Sequence, residues 1–433
     1  MRKSKFLSVL TATTLALTLA VPTVMQLELT TGVVKAVEVT TTAPSQKIEG
    51  RCGDNAIYSY DKATRTLTIS GTGAMWNGTK YSHLGTVDKI VIGNGITVIG
   101  EDAFSKFEFV GSAEISDTVT TIKSNAFKDL KSITIPKTVR TVETDAFYGV
   151  GKVVVEGDMN NFQYGALGDE VQEVQLKGSA ETLGLALAEV QDRDYLSVTI
   201  TKDNNRCRIA NGCLVSSDGK TVYYHISDSN KVTIPDTAVT IKSAAFYKQE
   251  IEEVKLGKNV KTIEPYAFEE SGVSKLTTNS KLKKIGRCAF KETNLKKVTL
   301  KSSVAMSPKA FDQKVILTST KSLKSAKTVM TSATFKKNKI NAKFAKLTGA
   351  KGYQVQIKKG GKTYKYFTTK TSIKVKAPKV FKKKYNVSFS YDIDNYTSKI
   401  EGKPAYISVR PYKIVKKNKK SYGKWSEKIV LTK

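Results

Sequence analysis

The chain of 433 residues carries 71 Lys+Arg against 39 Asp+Glu, a formal net charge of +32, and 40% of it is hydrophobic. That apolar fraction is enough for a core and excludes global disorder, while four cysteines in this length exclude a disulfide-dense scaffold. Two histidines, His83 and His225, leave little from which to assemble a His-ligated metal site or a His-based triad.

Arg2, Lys3 and Lys5 precede an uncharged, Thr/Ala-rich run from Phe6 to Met25, and Val34-Lys35-Ala36 fits a small-residue cleavage pattern. Residues 1–36 therefore read as a secretory signal peptide. A retained transmembrane anchor is the alternative. The many Thr residues and the cleavage site favour removal, leaving no transmembrane segment after cleavage. Residues 37–51 read as a flexible lead-in. Export removes cytosolic nucleotides, nicotinamide cofactors and the chromosome from consideration.

Ala56–Tyr60 and Thr66–Ser70 flank a turn and run into Gly71-Thr72-Gly73-Ala74-Met75, a hairpin able to cap a stack. A repeat follows. Ala-Phe recurs at Phe104, Phe127 and Phe147, then at Phe246, Phe268, Phe290 and Phe311, with steps of 20 to 23 residues inside each run. Ala166-Leu167 and Ala186-Leu187 mark two weaker copies. Each unit holds a short alternating strand, a turn, a V-x-x-I element and the Ala-Phe. One such unit cannot bury its own apolar face, so neighbours must stack, with Phe forming a buried ladder. Asn211-Gly212 and Asp218-Gly219 predict a small meander extending from the stack over residues 200–230.

The head Cys52-Gly53-Asp54-Asn55 with Thr66–Met75, the Ala-Phe units, and Asn211-Gly212 with Ser217-Asp218-Gly219-Lys220-Thr221 resemble BspA-type leucine-rich repeat proteins. The resemblance runs over residues 52–317. It implies a secreted or surface-exposed bacterial protein that adheres to host or cell-surface proteins, and it names no ligand and no functional residue. In a solenoid of this type the middle residue of each strand faces the concave side. That gives Val91, Glu114, Thr134, Val154, Gln175, Thr233, Lys255, Thr277, Thr299 and Ile316 as the binding face. A solvated strand face, chosen only for β propensity, is the competing reading.

Residues 318–334 read as a linker. Residues 335–433 hold 28 Lys+Arg and 4 Asp+Glu, so about +24 of the charge lies there. Strand-like runs at Tyr353–Ile357, Tyr364–Thr368, Ser372–Lys376, Tyr385–Phe389, Tyr406–Arg410 and Lys428–Leu431 predict a β-sandwich. Gly349–Gln356, Val409-Arg410-Pro411-Tyr412 and Tyr422–Ser426 resemble a fibronectin type III-like module, with Phe344 where an early Trp is usual and about 20 extra residues before Tyr406. Lys replaces Arg almost throughout, which disfavours specific nucleic-acid readout. Anionic wall polymers or glycans, held by diffuse attraction, remain as partners of this region, beside a merely solvated surface.

Gly219-Lys220-Thr221 and Gly361-Lys362-Thr363 lack the first glycine of a phosphate loop and read as hairpin turns. Asp392 and Asp394 fit loop positions, with a weak cation site left open. Alternation along the strands puts Cys207 and Cys213 on opposite faces, against a disulfide. Cys288 reads as a small buried residue, and Cys52 as a candidate free thiol. No cofactor and no enzymatic constellation is expected. The fold class is a β-rich leucine-rich repeat solenoid followed by an all-β fibronectin type III-like sandwich. The protein is expected to be extracellular, as an adhesion protein or as a cell-wall-associated spacer held by its Lys-rich end.

Overall fold

A computed structural model describes residues 24–30, 33–39 and 47–431, apart from short breaks at 79–80, 82, 108–109, 191–192, 379–380, 382–387, 393–396, 402–403 and 417–418. Most of the signal-peptide expectation lies outside the described residues; Val24–Thr30 and Val33–Val39 pair as an antiparallel hairpin. The end of the expected flexible lead-in is ordered differently. Lys47–Arg51 is an edge strand on Gly53–Asp61, which pairs in turn with Thr66–Met75.

Thr66–Met75 begins the solenoid because it is long and bent. Its first half pairs in parallel with Lys89–Ile92 and its second half with Ile96–Ile99. The bend falls at Gly71, whose φ is 97° and where any side chain would strike the carbonyl of Asn55. Only glycine fits both constraints. Two parallel sheets grow from this strand. One stacks Lys89–Ile92, Ser112–Ile115, Ser132–Ile135, Lys152–Val155, Glu173–Leu176 and Ser197–Ile200; the other stacks Ile96–Ile99, Thr121–Ile122 and Thr141–Val142.

The predicted meander is present but does not project. Cys207–Ala210, Cys213–Ser216 and Thr221–His225 are antiparallel, and the third strand pairs in parallel with Thr240–Ile241. It thereby starts a second block, as Thr66–Met75 starts the first. Thr262–Ile263, Lys284–Ile285 and Ala305–Met306 continue one sheet; Lys231–Thr233, Glu253–Lys255, Lys275–Thr277, Lys297–Leu300 and Ile316–Ser319 form the other. The blocks meet closely where a short helix, Leu183–Ala186, packs on Ala244: a side chain at Gly184 would lie 2.6 Å from the Ala244 carbonyl.

The Ala-Phe dipeptides form a third run of bonds along the stack. The amides of Phe104, Phe127, Phe246, Phe268 and Phe290 donate to the carbonyl of the Ala in the next coil, as in Phe104 to Ala126 at 2.8 Å and Phe268 to Ala289 at 2.9 Å. Each of these Ala side chains is essentially inaccessible, so a larger residue would push the coils apart. The rings stack as predicted. Tyr81, Phe104, Phe127 and Phe147 form one ladder, at 5.2 to 5.8 Å between neighbours. His225, Phe246, Phe268, Phe290 and Phe311 form the other, at 4.5 to 5.5 Å. Between them the position is held by Leu167 and Leu187, both fully buried.

The C-terminal region forms two antiparallel sheets, Met330–Lys336/Lys339–Phe344/Ser372–Lys376 and Lys362–Thr368/Gly352–Lys359/Tyr406–Lys416/Lys419–Tyr422, with Ile429–Val430 also on Tyr406–Lys416. The extra residues before Tyr406 include a hairpin of Ser388–Asp392 and Thr397–Glu401. Residues 318–334, expected as a linker, are instead integrated. Ala326, Thr328, Val329 and Met330 are buried, and Lys346–Leu347 adds the last rung to the solenoid sheet through Ile316–Ser319. One continuous apolar core runs from Cys213 through Phe311 and Phe344 to Leu431. A Ser/Thr/Lys-rich composition reads as linker when scanned locally, yet its few apolar residues are the ones that join the two cores.

Candidate binding face

The strands of the sheet that begins with Lys89–Ile92 in the first block, and of the one that begins with Lys231–Thr233 in the second, bury alternate residues, for example Val232 in Lys231–Thr233 and Val254 in Glu253–Lys255. The period of two then puts the residues between them outward. In register, Thr68 stands beside Val91, and Val91 beside Glu114. Thr134, Val154, Gln175 and Thr199 continue that line. In the second block Thr233, Lys255, Thr277, Thr299 and Thr318 stand rung by rung. Thr348 closes the row, its hydroxyl 3.1 Å from that of Thr318. Parallel rungs about 4.8 Å apart make this second row about 24 Å long.

Nine of the ten predicted residues therefore fall into these two rows. Ile316 does not: it pairs with Lys297 and Lys346, two residues out of phase, and the matching position is Thr318. Its side chain is outward but in the flanking row. Thr68, Thr199, Thr318 and Thr348 belong to the face and were missed. Thr68 sits in a strand read as a cap, Thr199 beside the insertion, Thr318 in the supposed linker and Thr348 in the supposed separate domain. A register count across the boundaries was the only signal for them.

The flanking row sets the electrostatics. In the second block it reads Lys231, Glu253, Lys275, Lys297, Ile316 and Lys346. Lys275 Nζ lies 2.8 Å from Glu253 Oε2, which leaves the row net cationic. In the first block Lys89 pairs with Glu114 at 2.6 Å and Lys152 with Glu173 at 2.8 Å, so charge is largely matched. The second-block surface offers a regular set of hydroxyls and ammonium groups on a rigid two-dimensional lattice. Such an array can bind by many weak polar contacts but holds no group poised for covalent chemistry.

The other residues singled out are structural. All four cysteines are free and buried. Ala210 pairs with Cys213 and Cys207 with Ser216, the opposed geometry that alternation requires. Burial pushes the Cys213 thiol up to about 12 and those of Cys207 and Cys288 up to about 11, so they stay protonated at neutral pH. Lys220, in one near-miss phosphate motif, pairs with Asp218 at 3.0 Å across a turn whose Gly219 has φ 71°. No group of three or more His, Cys, Asp and Glu gathers at metal-binding distance among the described residues. Asp394 lies outside them. His225 heads the second ring ladder, its Nδ1 2.9 Å from Gln249 Oε1. No helix among the described residues is long and apolar enough to cross a membrane.

Three solved structures are similar over most of their length. The pneumococcal vaccine antigen PcpA is 14% identical, with 64% of this chain and 82% of that chain covered at a TM-score of 0.42. A leucine rich cell surface protein from Faecalibacterium prausnitzii is 14% identical, covering 64% of this chain and 89% of its own, TM-score 0.37. A leucine-rich repeat protein from Eubacterium ventriosum is 16% identical, covering 62% and 95%, TM-score 0.33. Likenesses of this size leave the function open. No curated protein matches. The model of the BspA type leucine rich repeat region matches six copies over residues 62–166 and 218–341, which takes in the Ala-Phe coils of both blocks, leaves out the coils of Glu173–Leu176 and Ser197–Ile200, and runs on into the first two strands of the C-terminal sheets. More than half of the sequence is covered by that match, and the chain belongs to the BspA-type leucine-rich repeat family.

Proposed function

We propose that the protein is a secreted, surface-associated binding protein, and that it adheres to host or other cell-surface proteins through the strand face of its solenoid. The export pattern at residues 1–36 and the membership of a repeat family support this reading. The observation that carries it is the unbroken row Thr233, Lys255, Thr277, Thr299, Thr318, Thr348, rigidly spaced and flanked by lysines. Strand propensity alone also favours Thr at these positions, and the substitutions below separate that reading from binding. The test is capture of cell-surface proteins by the full chain and by a variant carrying Thr233→Asp, Lys255→Asp and Thr299→Asp. Loss of the captured species supports the reading, and undiminished capture removes it.

A second reading is favoured by the charge asymmetry. The C-terminal sheets, which we take as a fibronectin type III-like module, hold about three quarters of the net charge and would keep the protein non-covalently on anionic wall polymers or glycans. Retention on isolated cell walls should then fall steeply with salt, and salt-independent retention would argue against it.

A further inference from the structure

The outer face of the five-stranded C-terminal sheet carries a built arrangement of rings and cations. Tyr353, Val355 and Ile357 point into the core, so Gly352, Gln354 and Gln356 point out. Gln354 stands between Phe367 and Arg410 on the neighbouring strands, and Gly352 opposite Tyr412. The Tyr412 ring lies across Gly352: a side chain there would meet its hydroxyl at 2.6 Å. Phe367, Tyr412 and Tyr422 follow one another at 6.0 and 6.1 Å between ring centres, crossing the sheet.

Two cations are seated among these rings. The Arg410 guanidinium is 4.0 Å from the Tyr422 ring and 4.5 Å from that of Trp425, and its Nε donates to Gln354 Oε1 at 2.8 Å. Lys420 lies 4.6 Å from Phe367 and 5.4 Å from Tyr412. Stacking on rings holds these long side chains in place, so less conformational freedom is lost when an anion binds. Phe367 is nevertheless 50% exposed, a large apolar surface left to water at the edge of a strongly basic module.

Diffuse attraction to a polyanion needs only lysines. It has no use for an exposed phenylalanine backed by a packed row of rings, or for an arginine fixed by two aromatics and an amide. Rings of this kind pack on the apolar faces of sugars, while guanidinium and ammonium groups hold carboxylate or sulfate. We propose that this face is a binding site for an acidic polysaccharide, with Phe367 against a sugar ring, the buried Tyr412 supporting it from behind, and Arg410 and Lys420 on its anionic groups. The proposal rests on the second reading above and is independent of the solenoid face.

The test uses the full chain with hyaluronate oligosaccharides as the probe, and inorganic polyphosphate and oligothymidylate as comparators. Hyaluronate should bind in a salt-sensitive manner. Phe367→Ala should weaken it by about tenfold with polyphosphate binding unchanged. Lys420→Gln should weaken hyaluronate more than Lys374→Gln, a charge-matched change on the other sheet. Both Phe367 and Lys420 are exposed, and unchanged thermal unfolding would show that the variants fold. If Phe367→Ala leaves hyaluronate binding intact, the site is overturned and the charge-only reading survives. If neither acidic polymer is held, both fall. If oligothymidylate binds more tightly and is the ligand lost in Phe367→Ala, the face binds single-stranded nucleic acid and the polysaccharide assignment is wrong.

Discussion

The two solenoid blocks solve one packing problem with different sequence resources. In the first, neighbouring rings of the ladder are tilted by 12° to 26°. In the second, the Phe rings are tilted by only 3° to 8° and as close as 4.5 Å. Coil length explains the contrast. The Phe positions of the second block are 22, 22 and 21 residues apart, against 23 and 20 in the first, so successive coils superimpose more closely. The backbone shows the same division. Every coil but that of Ala186-Leu187, where a helix takes over, places a residue of positive φ immediately before its Ala. The first block uses Asp102, Asn125, Asp145 and Gly165, residue types that tolerate this conformation. The second uses Ala244, Tyr266, Cys288 and Lys309, which do not favour it. Regular stacking in the second block thus overrides local preference, whereas the first block relies on local preference where its stacking is less regular.

The largest effect should come from breaking a ladder. Phe268→Ala should cost about 3–5 kcal/mol, and Phe127→Ala, between less parallel rings, toward the lower end of that range. Chemical denaturation of the two variants checks the order, and a larger loss for Phe127→Ala would reverse the comparison. Next are the positive-φ positions. Lys309→Asn should stabilise by about 1 kcal/mol, while Asp145→Ala should destabilise by about the same amount. Thermal unfolding should therefore move in opposite directions.

His225 gives a pH signature confined to the second block. Burial pushes its imidazole below the usual range, against a smaller opposing effect of the Gln249 hydrogen bond and of Asp228 nearby. The fold favours the neutral ring. Its contribution is complete above the unfolded value of about 6.5 and is lost as pH falls through the lower folded value. The hydrogen-exchange protection factors of Thr240–Ile241 and Thr262–Ile263, referred to the intrinsic exchange at each pH, should fall on acidification below that range, and His225→Phe should abolish the fall. The smallest effect is expected at the exposed Lys275–Glu253 pair, where Lys275→Gln should leave the melting temperature unchanged within error.

The repeat was legible because Ala-Phe and the alternating strands are local signals with a fixed step. The binding row was legible to the same extent: from Val254 to Leu276 to Val298 the step is 22 residues, and Thr277 and Thr299 follow from it. It was lost at Ile316 because the last step, Val298 to Leu317, is 19. The joints were not legible. The pairing of Lys346–Leu347 with Ile316–Ser319, and the meander strand Thr221–His225 acting as a first rung, are long-range contacts with no periodic trace. His225 and Tyr81 extend the ladders without the Ala-Phe motif, so a search for the dipeptide passed over both.

The shared core also decides how function must be tested. Cutting between solenoid and C-terminal sheets would remove the last rung and expose Phe311 and Val315, so the two regions are best compared by surface variants of the intact chain. The most direct measurement is quantitative capture of cell-surface proteins by three full-length variants: Thr233→Asp/Lys255→Asp/Thr299→Asp on the second-block row, Thr134→Asp/Gln175→Asp/Thr199→Asp on the first-block row, and Lys261→Asp/Lys283→Asp away from both. The lysine pair matches the charge shift of the first variant. The account predicts that capture is lost in the second-block variant, reduced less in the first-block variant and kept in the lysine pair. Equal capture by all three, or loss confined to the lysine pair, would contradict it.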